Sequence, residues 1–303
     1  MSDTSLSPEV AEVSRPTGLL APCHEAAVRT LAAIRSRRLD DALRHLSAIP
    51  PSPFEQAAWK DLLSGWIDVE RGHTADAEPS LHRAIALSWV GGLTATGLIA
   101  TDFMRLAALG LHLWGRILRR QDRADCALAI HEAAHRLREQ FGSFDEVTET
   151  AIEIGLDLVI VSDHGQAMVW FDRAVDCARR SDEGMLEAAA HTHRSTSLVE
   201  LGRFEQAVKA AREAQSLFHR HDSGSSSCAL ADARLAAVML KHALALHETG
   251  DDRAAALLDD SIIQLQRAEE DLSAFGADFA DDIHWCREQL QFAKSLVIQV
   301  SIP

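Results

Sequence analysis

Ser195-Thr196-Ser197-Leu198-Val199-Glu200-Leu201-Gly202-Arg203-Phe204-Glu205-Gln206-Ala207, continuing to Ala211 and Ala214, is the stretch that decides the fold. It reads as a helix, a tight turn at Gly202 and a second helix. The spacing of twelve between its small residues recurs as Gly65 to Ala77, Gly115 to Ala127 and Gly155 to Ala167, and more weakly as Thr30 to Ala42 and Ala243 to Ala255. Antiparallel helices explain that spacing, because a small residue on each lets the backbones approach while larger side chains fill the flanking grooves. Those larger side chains are expected four residues further on, at Leu81, His131, Phe171 and Ala211, with another small residue at Ala84, Ala134, Ala174 and Ala214.

At these positions the chain resembles the tetratricopeptide repeat (TPR) family, whose unit carries a Gly or Ala, a turn Gly, then Ala, an aromatic and Ala. The resemblance runs from Ala26 to Leu272. It implies an all-α, right-handed α-solenoid of about six TPR-like helix-turn-helix units, closed by a C-terminal capping helix. Successive units start 35, 50, 40, 40 and 48 residues apart, mostly longer than the ~34 of the standard repeat. In this the chain is similar to the longer-helix TPR-like arrays of bacterial regulators and adaptors. The family's tyrosines are replaced by Leu118, Leu158 and Leu198. Pro79 is expected in the first turn of a helix, where its missing N–H costs little.

The frame predicts paired helices at 22–37 and 39–48, 55–71 and 75–88, 98–120 and 122–140, 144–161 and 164–180, 183–201 and 204–219, 228–249 and 251–274. Breakers fall at Pro50-Pro51-Ser52-Pro53, Gly91-Gly92, Phe141-Gly142-Ser143 and Asp222-Ser223-Gly224-Ser225-Ser226-Ser227. Domain organisation is expected to be a flexible tail at 1–21, one continuous repeat domain at 22–274, and a cap at 278–298.

Composition narrows function. The 303 residues hold 45 acids against 30 bases, a net charge of −15, the wrong sign for coating nucleic acid or anionic lipid. Only Lys60, Lys209, Lys241 and Lys294 are lysines and there is no tyrosine, a balance resembling high-GC bacteria. The N-terminus lacks the basic and apolar regions of a secretory signal, and the most apolar stretch, Leu98 to Trp114, is broken by Asp102, Arg105 and His112. Cys23, Cys126, Cys177, Cys228 and Cys286 form no CxxC and read as reduced, small core residues. A cytoplasmic location is expected.

His131-Glu132-Ala133-Ala134-His135 matches the HExxH string of zinc peptidases, with His131 and His135 as ligands and Glu153 as the candidate third. Against that reading, His131 and Ala134 already occupy the repeat's packing positions, Arg136 follows directly, and no strand precedes the helix. The default expectation is a packed or half-exposed histidine pair and no metal. His191-Thr192-His193 and His219-Arg220-His221 spread their imidazoles over different helix faces. No GxxxxGK[ST], GxGxxG or GxSxG is present, so no catalytic residue and no cofactor is assigned. Trp59, Trp66, Trp114, Trp170 and Trp285 read as core or capping residues, and Trp89 as the exposed anchor.

Charge is more informative. Leu98 to Gly142 carries seven arginines against five acids, whereas Ser143 to Ala190 carries three against eleven. Arg105, Leu109, His112, Arg116 and Arg119 form a mostly basic stripe on one helix, and Glu146, Glu149, Glu153 and Asp157 an acidic one on the next repeat's first helix. In a TPR-like array the first helices line the concave groove. Either Arg116 and Arg119 pair with Glu149 and Glu153, at ~0.2–1 kcal/mol per exposed pair, or the stripe captures an acidic segment of a partner; pairing is the favoured reading. The lysine and asparagine clamp of some TPR co-chaperones is not visible. The resemblance implies a non-enzymatic scaffold or adaptor that binds a protein or peptide through Arg105, His112, Arg116, Arg119, Glu149, Glu153, His193 and Thr196. A peptide-sensing regulatory module is the alternative and a zinc peptidase the remote one. No nucleic-acid or membrane partner is expected, and the sequence leaves the oligomeric state open.

Overall fold

The computed structural model describes residues 24–49, 54–276 and 279–300; the expected tail at 1–21 and the breaker at 50–53 lie outside them. Among the described residues there are thirteen helices and no strand. In chain order they are α1 (His24–Arg35), α2 (Leu39–Ser47), α3 (Phe54–Glu70), α4 (Thr74–Thr94), α5 (Gly97–Arg120), α6 (Ala124–Phe141), α7 (Phe144–Ile160), α8 (His164–Ser181), α9 (Gly184–Glu200), α10 (Phe204–His221), α11 (Ser226–Glu248), α12 (Arg253–Phe275) and α13 (Ala280–Val300). The chain divides into two compact units, residues 1–157 and 158–303.

Six helix hairpins share one turn. A residue with left-handed backbone closes the first helix of each: Arg37, Gly72, Asp122, Ser162, Gly202 and Gly250. The following N–H then bonds back to a carbonyl five residues earlier: Arg38 to Ala33, His73 to Asp68, Arg123 to Leu118, Asp163 to Leu158, Arg203 to Leu198 and Asp251 to Leu246, at 2.8–3.0 Å. This is the Schellman closure, which satisfies carbonyls that a helix end otherwise leaves open. The turns follow one another at the intervals read from the sequence.

Within the first unit, α1 packs on α2 and α3, α3 on α4 and α5, and α5 on α4 and α6. The second unit repeats the scheme, with α9 against α8, α10 and α11, and α11 against α10, α12 and α13. Within each unit first helices therefore touch first helices, α1 with α3, α3 with α5 and α9 with α11. The small positions Ala77, Ala127, Ala167 and Ala207 are all fully buried, as are Leu81, His131 and Phe171. A Cβ added to Gly65 would fall 2.7 Å from the Leu81 side chain, which is why that position is glycine. In the second unit, α13 turns Cys286, Leu290 and Ala293 inward and leaves His284, Arg287 and Glu288 in solvent, so it buries one face only.

The structure corrects four expectations. Gly91-Gly92 does not break the chain but lies inside α4, because the absent side chains make room for Phe103 and Met104 of α5; a Cβ would meet Phe103 at 2.6 Å and Met104 at 1.8 Å. Pro79 is the sixth residue of α4 and not in its first turn, so it withholds an N–H from the Ala75 carbonyl. Cys126 is exposed in the first turn of α6, unlike the buried Cys177, Cys228 and Cys286. In the sixth hairpin Ala254 and not Ala255 faces inward. There the Ala254 N–H bonds three residues back to the Asp251 carbonyl at 3.0 Å, whereas Ala42, Ala77, Ala127, Ala167 and Ala207 bond four back, so the first turn of α12 is tighter and the inward position comes one residue earlier.

Candidate functional site

The expected basic and acidic stripes meet on the first helices of the first unit. On α5, Arg105 contacts Glu146 of α7 at 3.2 Å, and Arg116 contacts Glu70 of α3 at 3.2 Å. Arg119 lies between Glu153, which it touches closely, and Asp157, at 3.0 Å. Glu70 also accepts from the Trp66 indole at 3.3 Å. Three neighbouring first helices are thus crossed by an alternation of sign, acidic on α3, basic on α5 and acidic on α7. The side chains of the two outer pairs are each between 21% and 26% exposed, open enough for a partner to reach.

Behind this face the pairing continues into the interior. Gly115 leaves space for the His131 ring against the α5 backbone: a Cβ there would fall 2.4 Å from Nε2. His131 Nδ1 is 2.5 Å from Asp157 Oδ2 and its Nε2 is 3.1 Å from the His112 carbonyl oxygen. Oxygen atoms face both ring nitrogens. His131, Asp157, Arg119 and Glu153 are thereby joined in one network that runs from the buried ring to the half-buried Arg119–Glu153 pair. One turn along α6, His135 Nδ1 meets Thr150 Oγ1 at 2.9 Å. Arg138, also buried, donates to the Glu146 carbonyl at 2.7 Å and to Glu149 at 3.1 Å. Ser143 and Glu146 form a capping box that starts α7, with the Ser143 N–H 2.8 Å from the Glu146 carboxylate.

Electrostatics follow from this geometry. Burial works against the charge of Arg119, but Glu153 and Asp157 outweigh it and raise the guanidinium pKa. Burial likewise pushes Glu153 up, and Arg119 and His131 reverse it, holding the carboxyl below its ordinary range. His112 is pushed well below the usual imidazole value by burial first, then by Arg138, His131, Arg116 and Arg119. It is a neutral ring, and its buried Nδ1 has no hydrogen-bond partner.

Arg105, His112, Arg116, Arg119, Glu149 and Glu153 are thus brought together on α5 and α7. His193 and Thr196 lie on α9 of the second unit, where His193 stacks on Phe171 at 5.9 Å and the Thr196 hydroxyl donates to the Thr192 carbonyl at 3.4 Å. The expected pairing is realised for Arg119 with Glu153. For Arg116 and Glu149 it is corrected: Arg116 reaches back to Glu70 and Glu149 is taken by Arg138. The HExxH residues do not assemble a ligand set, since both ring nitrogens of His131 face acceptors and Glu153 binds Arg119. Among the described residues no group of three His, Cys, Asp or Glu side chains is placed to hold a metal ion. Glu70 and Arg138 were missed. Asp157 had a signal: it stands two residues after Gly155, where the other clear copies carry Ile67, Ile117 and Ser197.

No family model matches the chain, and no curated protein does. Solved structures do. The apo form of RapI superimposes with a TM-score of 0.60 at 10% identity, covering 93% of this chain and all of RapI. The fold is an all-α helical-repeat solenoid. The Rap conjugation gene regulator of plasmid pLS20, solved with the Phr* peptide, gives 0.57 at 15% identity, over 100% of this chain and 80% of the regulator. Aspartyl phosphate phosphatase F from Bacillus subtilis gives 0.56 at 15% identity, over 97% and 73%. Among the described residues no helix is long and apolar enough to cross a membrane.

Proposed function

We propose that this chain is an adaptor that binds a protein or peptide segment across the first helices α3, α5 and α7 of its first unit. The observation that carries the reading is the sign alternation on that face, where Glu70, Arg116, Arg105 and Glu146 stand about a quarter exposed in matched pairs. Such a surface offers a peptide both donors and acceptors at helix-to-helix spacing, and a partner charge can exchange with either member of a pair. The adaptor works in the cytoplasm, without cofactor. Affinity capture from a bacterial lysate, with the wild type beside Arg105→Glu/Arg116→Glu, tests it. The variant, with an unchanged circular dichroism spectrum, loses a specific partner; retention of every partner refutes the assignment.

A second reading, a peptide-sensing regulatory module, draws support from the likeness to the pLS20 regulator, which was solved with a peptide bound. It predicts that a cognate peptide raises the melting temperature, by about 2.7 kcal/mol of added stability at a hundred times its Kd.

A further inference from the structure

We infer that a second copy of this chain docks on the corner where α4 meets α5. Residues 84–101 form a run of eighteen without a charged side chain, between Arg83 and Asp102, in a chain in which 25% of residues are charged. One side of the run packs inward, with Ala84, Ser88 and Gly91 buried, but four of its large side chains do not. Trp89 and Val90 stand four and three residues before Leu93 on the outer face of α4, and Leu98 follows in the first turn of α5; they are 40%, 51%, 79% and 70% exposed.

The corner extends past its neighbours. Gly115 faces His131 across α5 and α6, and in that antiparallel register the end of α6 at Phe141 lies about opposite Arg105. The first two turns of α5 therefore continue beyond α6 and are braced by α4. They are rigid all the same, since Gly91 and Gly92 seat Phe103 and Met104 directly on the α4 backbone. A preformed apolar surface loses little conformational freedom on docking.

Charge and area select the occupant. A chain with a net charge of −15 repels its own copies wherever acidic surfaces meet, and this uncharged corner lets two copies approach without that cost. The four large side chains expose roughly 450 Å² per copy. With the small residues between them, two corners bury on the order of 1,200 Å², the lower edge of a specific dimer interface. A two-fold axis through the corner would set each stripe against its equal.

Sedimentation velocity over a hundredfold concentration range, starting at about 2 µM, tests the inference. The wild type moves from 33.1 kDa to twice that mass, with a Kd of about 1–100 µM. Trp89→Glu/Leu93→Glu, at exposed positions that leave the fold intact, weakens association at least tenfold. A wild type monomeric throughout, or a variant that dimerises equally well, overturns the inference. So does flotation of monomeric wild type, and not of the variant, with phosphatidylcholine vesicles, which assigns the corner to a lipid surface.

Discussion

Replacing Gly115 with alanine tests the packing logic of the repeat directly. In an exposed helix the change stabilises by about 1 kcal/mol, because alanine has the higher helix propensity. Here the new Cβ would lie 2.4 Å from His131 Nε2 and 2.5 Å from Cδ2, far inside contact distance. The ring cannot retreat cheaply, being held by Asp157 at 2.5 Å and the His112 carbonyl at 3.1 Å. Overpacking costs about 1–3 kcal/mol, and leaving a buried hydrogen-bonding group without its partner about 1–3 kcal/mol. If the ring keeps part of its bonding, the net loss is about 2–4 kcal/mol after the propensity gain. Urea titration followed by circular dichroism and tryptophan fluorescence measures it. The same substitution in a His131→Ala background meets no ring, so the cycle should show at least about 2 kcal/mol of coupling. A neutral or stabilising Gly115→Ala, or additive single changes, would refute the reasoning.

Other outcomes follow from the turns, the buried rings and the thiols. Asp122 holds a left-handed backbone at φ +59°, so Asp122→Gly should raise stability by about 0.5–1 kcal/mol in the same titration. The imidazole pKa of His112 is depressed in the folded state. Its contribution is therefore intact above the unfolded value of 6.5 and lost as pH falls below it, by at most about 1.4 kcal/mol per pH unit. Melting curves at pH 7.5 and 5.5 should show a smaller drop for His112→Leu than for wild type, and equal drops would sink the assignment. Among the four described cysteines, iodoacetamide with peptide mapping should label exposed Cys126 first and leave Cys286 last, since burial pushes that thiol up to about 11.

The repeat was legible because close helix packing imposes a period on small residues and on turns, and both are local. Gly65, Gly115 and Gly202 announce themselves by size, whatever the rest of the chain does. Gly91-Gly92 misled for the same reason: a glycine pair signals a turn unless something distant, here Phe103 and Met104, needs the space. Stripe membership of Arg116 and Glu149 was readable from helical spacing, but their partners were not. Arg116 had acids within reach on both neighbouring first helices, and the choice of Glu70, 46 residues away, depends on side-chain reach in the folded packing. Arg138 was invisible because a buried arginine looks, in sequence, like any surface one.

The His131 network places directional bonds inside the α5, α6 and α7 assembly, whereas the core contact between α3 and α4 is apolar. The contact of Leu81 with Gly65 is nondirectional, and a small slide of one helix past the other merely exchanges one apolar contact for another. Hydrogen bonds from one ring to Asp157 and to the His112 carbonyl carry angular demands, so the same slide breaks both at once. The joint acts as a dowel set inside the packing, whereas α3 and α4 carry their directional bonds on the surface, from Arg83 to Asp61.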